Sequence, residues 1–81
     1  MFGYENKTIK TAFNAISRVN NFANANPEAK DSLLINKILN CTKNKAAFHL
    51  VNRQVHFEWS KTDKLRNAIN AVVQKLMREL K

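Results

Sequence analysis

The sequence predicts a small α+β domain of order α-α-β-β-α, with a β-hairpin packed on helices. Apolar residues recur at steps of three and four over about 7–24 and again over 61–80, the period of a helix. Between about 46 and 59 the period changes to two, the period of a strand. A chain of 81 residues has room for one core, so 1–81 is read as a single domain. One Gly and one Pro are too little punctuation for an all-β sandwich or barrel.

Residues 1–6 read as a loose leader. In the first helix, about 7–24, the apolar positions are Ile9, Phe13, Ile16, Val19 and Phe22, with Ala12, Ala15 and Ala23 between them. The opposite face carries Lys7, Lys10, Asn14, Arg18 and Asn21. Asn26-Pro27-Glu28 is a start signal. Asn can cap the free amides, Pro is tolerated in the first turn, and Glu suits the positive end of the dipole. The second helix then runs over about 27–41. Its stripe of Leu34, Ile35, Ile38, Leu39 and Cys41, with Leu33 to one side, is wide and predicts a well-buried helix.

Thr42-Lys43-Asn44-Lys45 interrupts the helical pattern. Phe48 and Leu50, then Val55, Phe57 and Trp59, alternate with other residues, as in a hairpin turning at Asn52-Arg53. That register sets Leu50 against Val55, Phe48 against Phe57 and Ala46 against Trp59 on one face. His49 then opposes His56 on the other. The turn lacks the Gly that a two-residue hairpin loop favours. Ser60-Lys61-Thr62-Asp63 matches a capping box before the last helix, about 61–80. The stripe of that helix is Leu65, Ile69, Val72, Val73, Leu76, Met77 and Leu80. A lone hairpin is marginal in water, so its free edge is expected to pair with a second copy. A homodimer with a four-stranded sheet follows from that expectation.

Lys+Arg is 14 and Asp+Glu is 6, a net charge of +8. An excess of like charge opposes compaction, so it is expected to serve an anionic partner. One Cys excludes an intramolecular disulfide framework, and Cys41 reads as a small hydrophobe. No apolar run approaches a membrane span and no secretory signal is legible, so a cytoplasmic protein is expected. With Gly3 as the only Gly, a glycine-rich phosphate loop is impossible. No metal-ligand spacing, cofactor motif or nucleophile arrangement is present, and no enzyme activity is expected. The two histidines lack a third group to help them as acid and base.

The candidate site is a set of cations. Lys61, Lys64, Lys75 and Arg78, with Ala68 and Ala71 between them, form a ridge over which a phosphate backbone could pass. In the hairpin register Lys43 and Lys45 return beside Ser60, Lys61 and Lys64, at the amide end of the last helix, a good anion site. Arg53 stands at the hairpin tip. Phe13, Phe22, Phe48, Phe57 and Trp59 all fall on core faces, leaving only Phe2 and Tyr4 for base stacking. Lys outnumbers Arg, the better base reader.

The expected function is backbone-directed nucleic-acid binding of low sequence specificity, with RNA ahead of DNA. Reversal of Lys64 and Lys75 to Glu is expected to abolish binding without unfolding. The alternative is an inhibitor from a phage or mobile element that blocks a host nuclease, toxin or defence complex, directly or through bound RNA. Its small size, its charge and its wealth of Asn and Lys fit that alternative. A winged-helix arrangement is disfavoured by the long final helix and the apolar second one. A membrane-surface role is disfavoured because the last helix needs its apolar stripe for the core.

Overall fold

The computed structural model describes residues 6–80, and among these there are four helices and no strand. They are α1 (Asn6–Ala25), α2 (Asp31–Cys41), α3 (Lys45–Trp59) and α4 (Leu65–Glu79). The expected α+β class is therefore wrong: the domain is all-α. Residues 1–5, with Phe2 and Tyr4, lie outside the described residues, and Asn6, expected in the leader, opens α1.

The segment read as a hairpin is the 15-residue helix α3. Its buried residues are Ala47, Leu50, Val51, Gln54 and Val55. These are spaced i, i+3, i+4, i+7, i+8, one face of a helix. The alternation of Phe48 with Leu50, and of Val55 with Phe57 and Trp59, was a coincidence of that stripe with its flanks. Phe57 is half exposed, so it does not belong to the core. Asn44 starts α3 by accepting a hydrogen bond from the Ala47 amide at 3.0 Å. The sheet-edge route to a homodimer disappears with the hairpin.

Helix α1 is the centre of the fold. It packs on α2, α3 and α4, most extensively on α4, and α3 packs on α4 in turn. Ile9, Ala12, Ala15, Ile16, Val19 and Ala23 of α1 are buried, close to the expected face. Opposite them in the core stand Leu65, Ala68, Ile69, Val72, Val73 and Leu76 of α4. Small residues such as Ala12 and Ala68 let the helices approach closely, while each large aliphatic contributes about 1.5–3 kcal/mol on burial.

Helix α2 is less buried than expected. Only Leu34 and Ile38 are enclosed, whereas Leu33, Ile35 and Leu39 are exposed. The start of α2 also moves. Asn26 does not cap it; its side-chain amide donates back to the Phe22 carbonyl, closing α1. Lys30 stands at the N-cap without a side-chain cap, and Asp31 supplies the acidic charge of the first turn.

The capping box expected at Ser60 is not made. Ser60 is the C-cap of α3, and its hydroxyl donates to the Phe57 carbonyl at 2.7 Å. Helix α4 begins only at Leu65, with Lys64 at its N-cap. Arg66, in the first turn of α4, donates to the carbonyls of Ala23, Asn26, Pro27 and Ala29. These carbonyls lie where α1 ends and the chain turns into α2; that of Asn26 also accepts from the Ala29 amide, and the negative end of the α1 dipole favours a cation there. The C-terminal end of α1 therefore lies against the start of α4, and the two helices run antiparallel.

Candidate nucleic-acid interface

The cations expected to converge are separated. Lys43 lies in the α2–α3 connection and Lys45 opens α3, whereas Lys61 and Lys64 follow its other end. A helix of 15 residues is about 22 Å long, so the two pairs cannot share one anion. The expected convergence depended on the hairpin and falls with it. Arg53 is exposed midway along α3 rather than at a hairpin tip.

The ridge is also broken. Ala68 is fully buried in the core and Ala71 is partly buried, so they do not form an open floor for a passing backbone. The small side chains of α4 serve helix packing. Lys64 and Arg78 are exposed at its two ends.

The structure does bring Lys61 and Lys75 together. Their ammonium nitrogens lie 3.7 and 4.0 Å from one carboxylate oxygen of Glu58. Both also lie over the Phe57 ring, 4.0 and 5.1 Å from its centroid. The result is a small cluster at the α3–α4 junction in which one carboxylate answers two cations. Pairs at this separation, near the limit of contact and open to water on the lysine side, contribute little to stability. Their effect is to lower the positive potential at this junction relative to the rest of the surface.

The histidine pair dissolves as well. His49 and His56 are seven residues apart on one helix, about 10 Å along its axis, instead of cross-strand neighbours. His56 instead stacks with Trp59. Among the described residues no group of His, Cys, Asp or Glu could hold a metal ion.

A cationic stripe without an interposed carboxylate lies on α1. Lys7, Lys10, Asn14, Arg18 and Asn21 follow at steps of three and four, and all are exposed. No acidic residue occurs between Asn6 and Pro27. The two ion pairs of the described residues both belong to Glu58, so none engages this stripe. From Lys7 to Arg18 the stripe runs about 16 Å. Because α1 packs against every other helix, this is the one flank of it left to solvent. A second exposed stripe on α4, Lys64, Asn67, Asn70, Gln74 and Arg78, repeats the pattern of cations and amides. The α1 stripe was visible in the sequence as a polar face. What marks it is the combination of cations and amides on one exposed face with the absence of carboxylates from the whole of α1.

Cys41 is partly buried against the core, as a small hydrophobe would be. No helix among the described residues is long and apolar enough to cross a membrane. No family model, curated protein or solved structure matches the chain.

Proposed function

We propose that this protein binds nucleic acid through the phosphate backbone, with low sequence specificity and with RNA ahead of DNA. The observation that carries the reading is the α1 stripe: Lys7, Lys10 and Arg18, exposed, interleaved with Asn14 and Asn21, on a helix without a carboxylate. Lys and Arg neutralise phosphates and release counterions, and Asn amides donate to phosphate or sugar oxygens. Lys64 and Arg78 on α4, and Lys43, Lys45 and Arg53 on the α3 side, are further exposed cations available to a phosphate backbone. Stacking contributes little, because Phe13, Phe48 and Trp59 pack against the core and Phe57 lies under two lysines. Contacts dominated by Lys favour shape and charge over base edges, which suits structured RNA. The protein has no catalytic role in this reading, needs no cofactor, and works in the cytoplasm, that of the host if it is phage-encoded.

The test is fluorescence anisotropy of nuclease-treated protein with single-stranded RNA, duplex RNA and duplex DNA across a salt series. Tight binding with a steep salt dependence supports the reading. The triple variant K7E/K10E/R18E is expected to weaken binding and to lower the log–log salt slope by about 2–3. An unchanged slope in a folded triple variant removes α1 from the interface.

A second reading is favoured by the exposed Leu33, Ile35 and Leu39 of α2. Three large apolar residues on one short helix suit a protein contact, as in an inhibitor of a host nuclease, toxin or defence complex. Capture of a host protein that survives RNase treatment supports it; capture lost with RNase returns the contact to RNA.

A further inference from the structure

Helix α3 carries a polar stripe of its own. Lys45, His49, Asn52, Arg53 and His56 follow at steps of three and four, and all are exposed. No carboxylate occurs from Lys45 to Phe57. Lys45 and Arg53 are cations, and His49, Asn52 and His56 each offer an N–H to a phosphate oxygen. From Lys45 to His56 the stripe runs about 16 Å, the length of the α1 stripe.

The stripes on α1, α3 and α4 face different sides of the protein. At about 100° per residue, the middle of each lies about 180° from the middle of the buried set on its own helix. Those buried sets join in one core, and the three helices pack on one another pairwise. Each stripe therefore looks away from a common centre. Between the α1 and α3 stripes stands α2, which packs on α1 and borders α3 through Ile35 and Leu39. Its outer side presents Ser32, Asn36, Leu39 and Asn40, exposed and without a cation. Its one cation, Lys37, lies over the Phe22 ring at 4.6 Å, and Asp31 cancels its charge. On the other side α4 intervenes, packed against both. A rigid duplex seated on α1 does not reach α3 by either path.

We infer, granted the phosphate-backbone binding proposed above, that one copy of the protein holds two RNA segments at once, one on α1 and one on α3, and bridges them. The charge suits two segments. The α1 stripe uses Lys7, Lys10 and Arg18 out of 14 Lys and Arg, and the net charge of +8 offsets part of the repulsion between two polyanions. The folded chain measures 35 × 25 × 18 Å, so the two segments are held about one protein width apart.

The probe is a duplex RNA of about 12 base pairs, too short and stiff to wrap round the protein. It is made in two batches, one with a donor dye and one with an acceptor. RNA is kept in excess over protein, which disperses large aggregates. The parent is expected to produce energy transfer between the two batches, and sedimentation velocity at the same ratio to show two duplexes on each protein. Two charge reversals close one face each: K7E/K10E/R18E on α1 and K45E/R53E on α3. All five side chains are exposed, and circular dichroism checks that both variants fold. Each variant is expected to keep one duplex and to lose at least about tenfold of the transfer. No binding by the parent at low salt removes the phosphate-binding function and the bridge with it. Binding that saturates at one duplex per protein leaves that function standing and overturns the bridge. Transfer that survives in folded K45E/R53E overturns α3 as the second face. A parent that sediments as a dimer without RNA also overturns the inference, since each copy then needs only one face.

Discussion

The guanidinium of Arg66 donates to the main-chain carbonyl of Asn26 at 2.7 Å, across forty residues of sequence. One side chain of α4 thereby closes α1 and holds the turn into α2. Arg suits this task because its planar fork offers several donors at fixed angles, which the single ammonium of Lys does not. Arg66→Met, which keeps the stem and removes the donors, is expected to cost about 2–3 kcal/mol in urea unfolding. Arg66→Lys should recover only part of the loss. A stability within error of the parent in Arg66→Met would show that water replaces the guanidinium at no cost.

Position 53 separates helix from hairpin by sign. In a hairpin, Arg53→Gly would create Asn-Gly, the turn that two-residue loops favour, and would stabilise. In the middle of α3 the same change costs about 1 kcal/mol, because Gly gains more freedom on unfolding and Arg53 is exposed. Thermal melts of the parent and Arg53→Gly are expected to show the loss.

Ala68 separates core from ridge. On a solvent ridge, Ala68→Lys would add a cation and tighten nucleic-acid binding. Ala68 is fully enclosed between α4 and its neighbours, so an ammonium there would be buried without a partner. The expected outcome is loss of the helical circular-dichroism signal at temperatures where the parent is folded. A folded Ala68→Lys protein would mean that the α4 packing is wrong.

Two buried polar atoms lower the stability of the parent. Thr42 Oγ1 and Gln54 Oε1 are enclosed and find no hydrogen-bond partner among the described residues. Thr42→Val and Gln54→Leu remove those acceptors while keeping similar shape. Each is expected to stabilise by about 1 kcal/mol, measured as an increase in urea midpoint at constant slope. If Gln54→Leu destabilises instead, its side-chain amide has a role in ordering α3.

Lys75 faces Glu58 at 4.0 Å and lies over Phe57, which changes what a charge reversal there reports. Lys75→Glu sets two carboxylates together and leaves Lys61 beside Glu58. A stability loss of up to about 1 kcal/mol is expected in urea unfolding. Any effect on RNA binding must therefore be read beside a stability measurement. Lys64→Glu, at an exposed N-cap, breaks no ion pair of the described residues and places a carboxylate where the α4 dipole favours one, so a loss of RNA binding there is not a loss of folding.

The helical faces of α1 and α4 were legible because their apolar residues repeat over many turns and their polar faces are clean. Helix α3 was not legible, and Gln54 is the reason. It occupies a core position of the stripe Ala47, Leu50, Val51, Gln54 and Val55, but reads as part of a polar turn with Asn52 and Arg53. With that position discounted, the alternation ending in Phe57 and Trp59 outweighed it. Two signals favoured the helix: Asn44 three residues before Ala47, and 15 residues without Gly or Pro. Leu33, Ile35 and Leu39 misled in the other direction. An apolar residue is not thereby an interior one, and sequence alone does not say which side of a short helix lacks a neighbour. The site followed the same logic. The net charge was plain, but the convergence of particular lysines was a property of a register that does not exist.

Helix α1 is the first of the four to be translated, and its largest partner, α4, is the last. Ile16 and Val19 share one core with Leu65, Ile69, Val72 and Leu76, so that core stays incomplete until α4 has been made and has reached back to α1. The nascent chain therefore carries an amphipathic helix with part of its apolar side open until α4 emerges. A ribosome stalled before Leu65 would hold a chain without a closed core, a natural client for a holding chaperone. Full burial of α1 thus waits for α4, and a chain cut short before α4 would be open to proteolysis rather than a smaller working version of the protein.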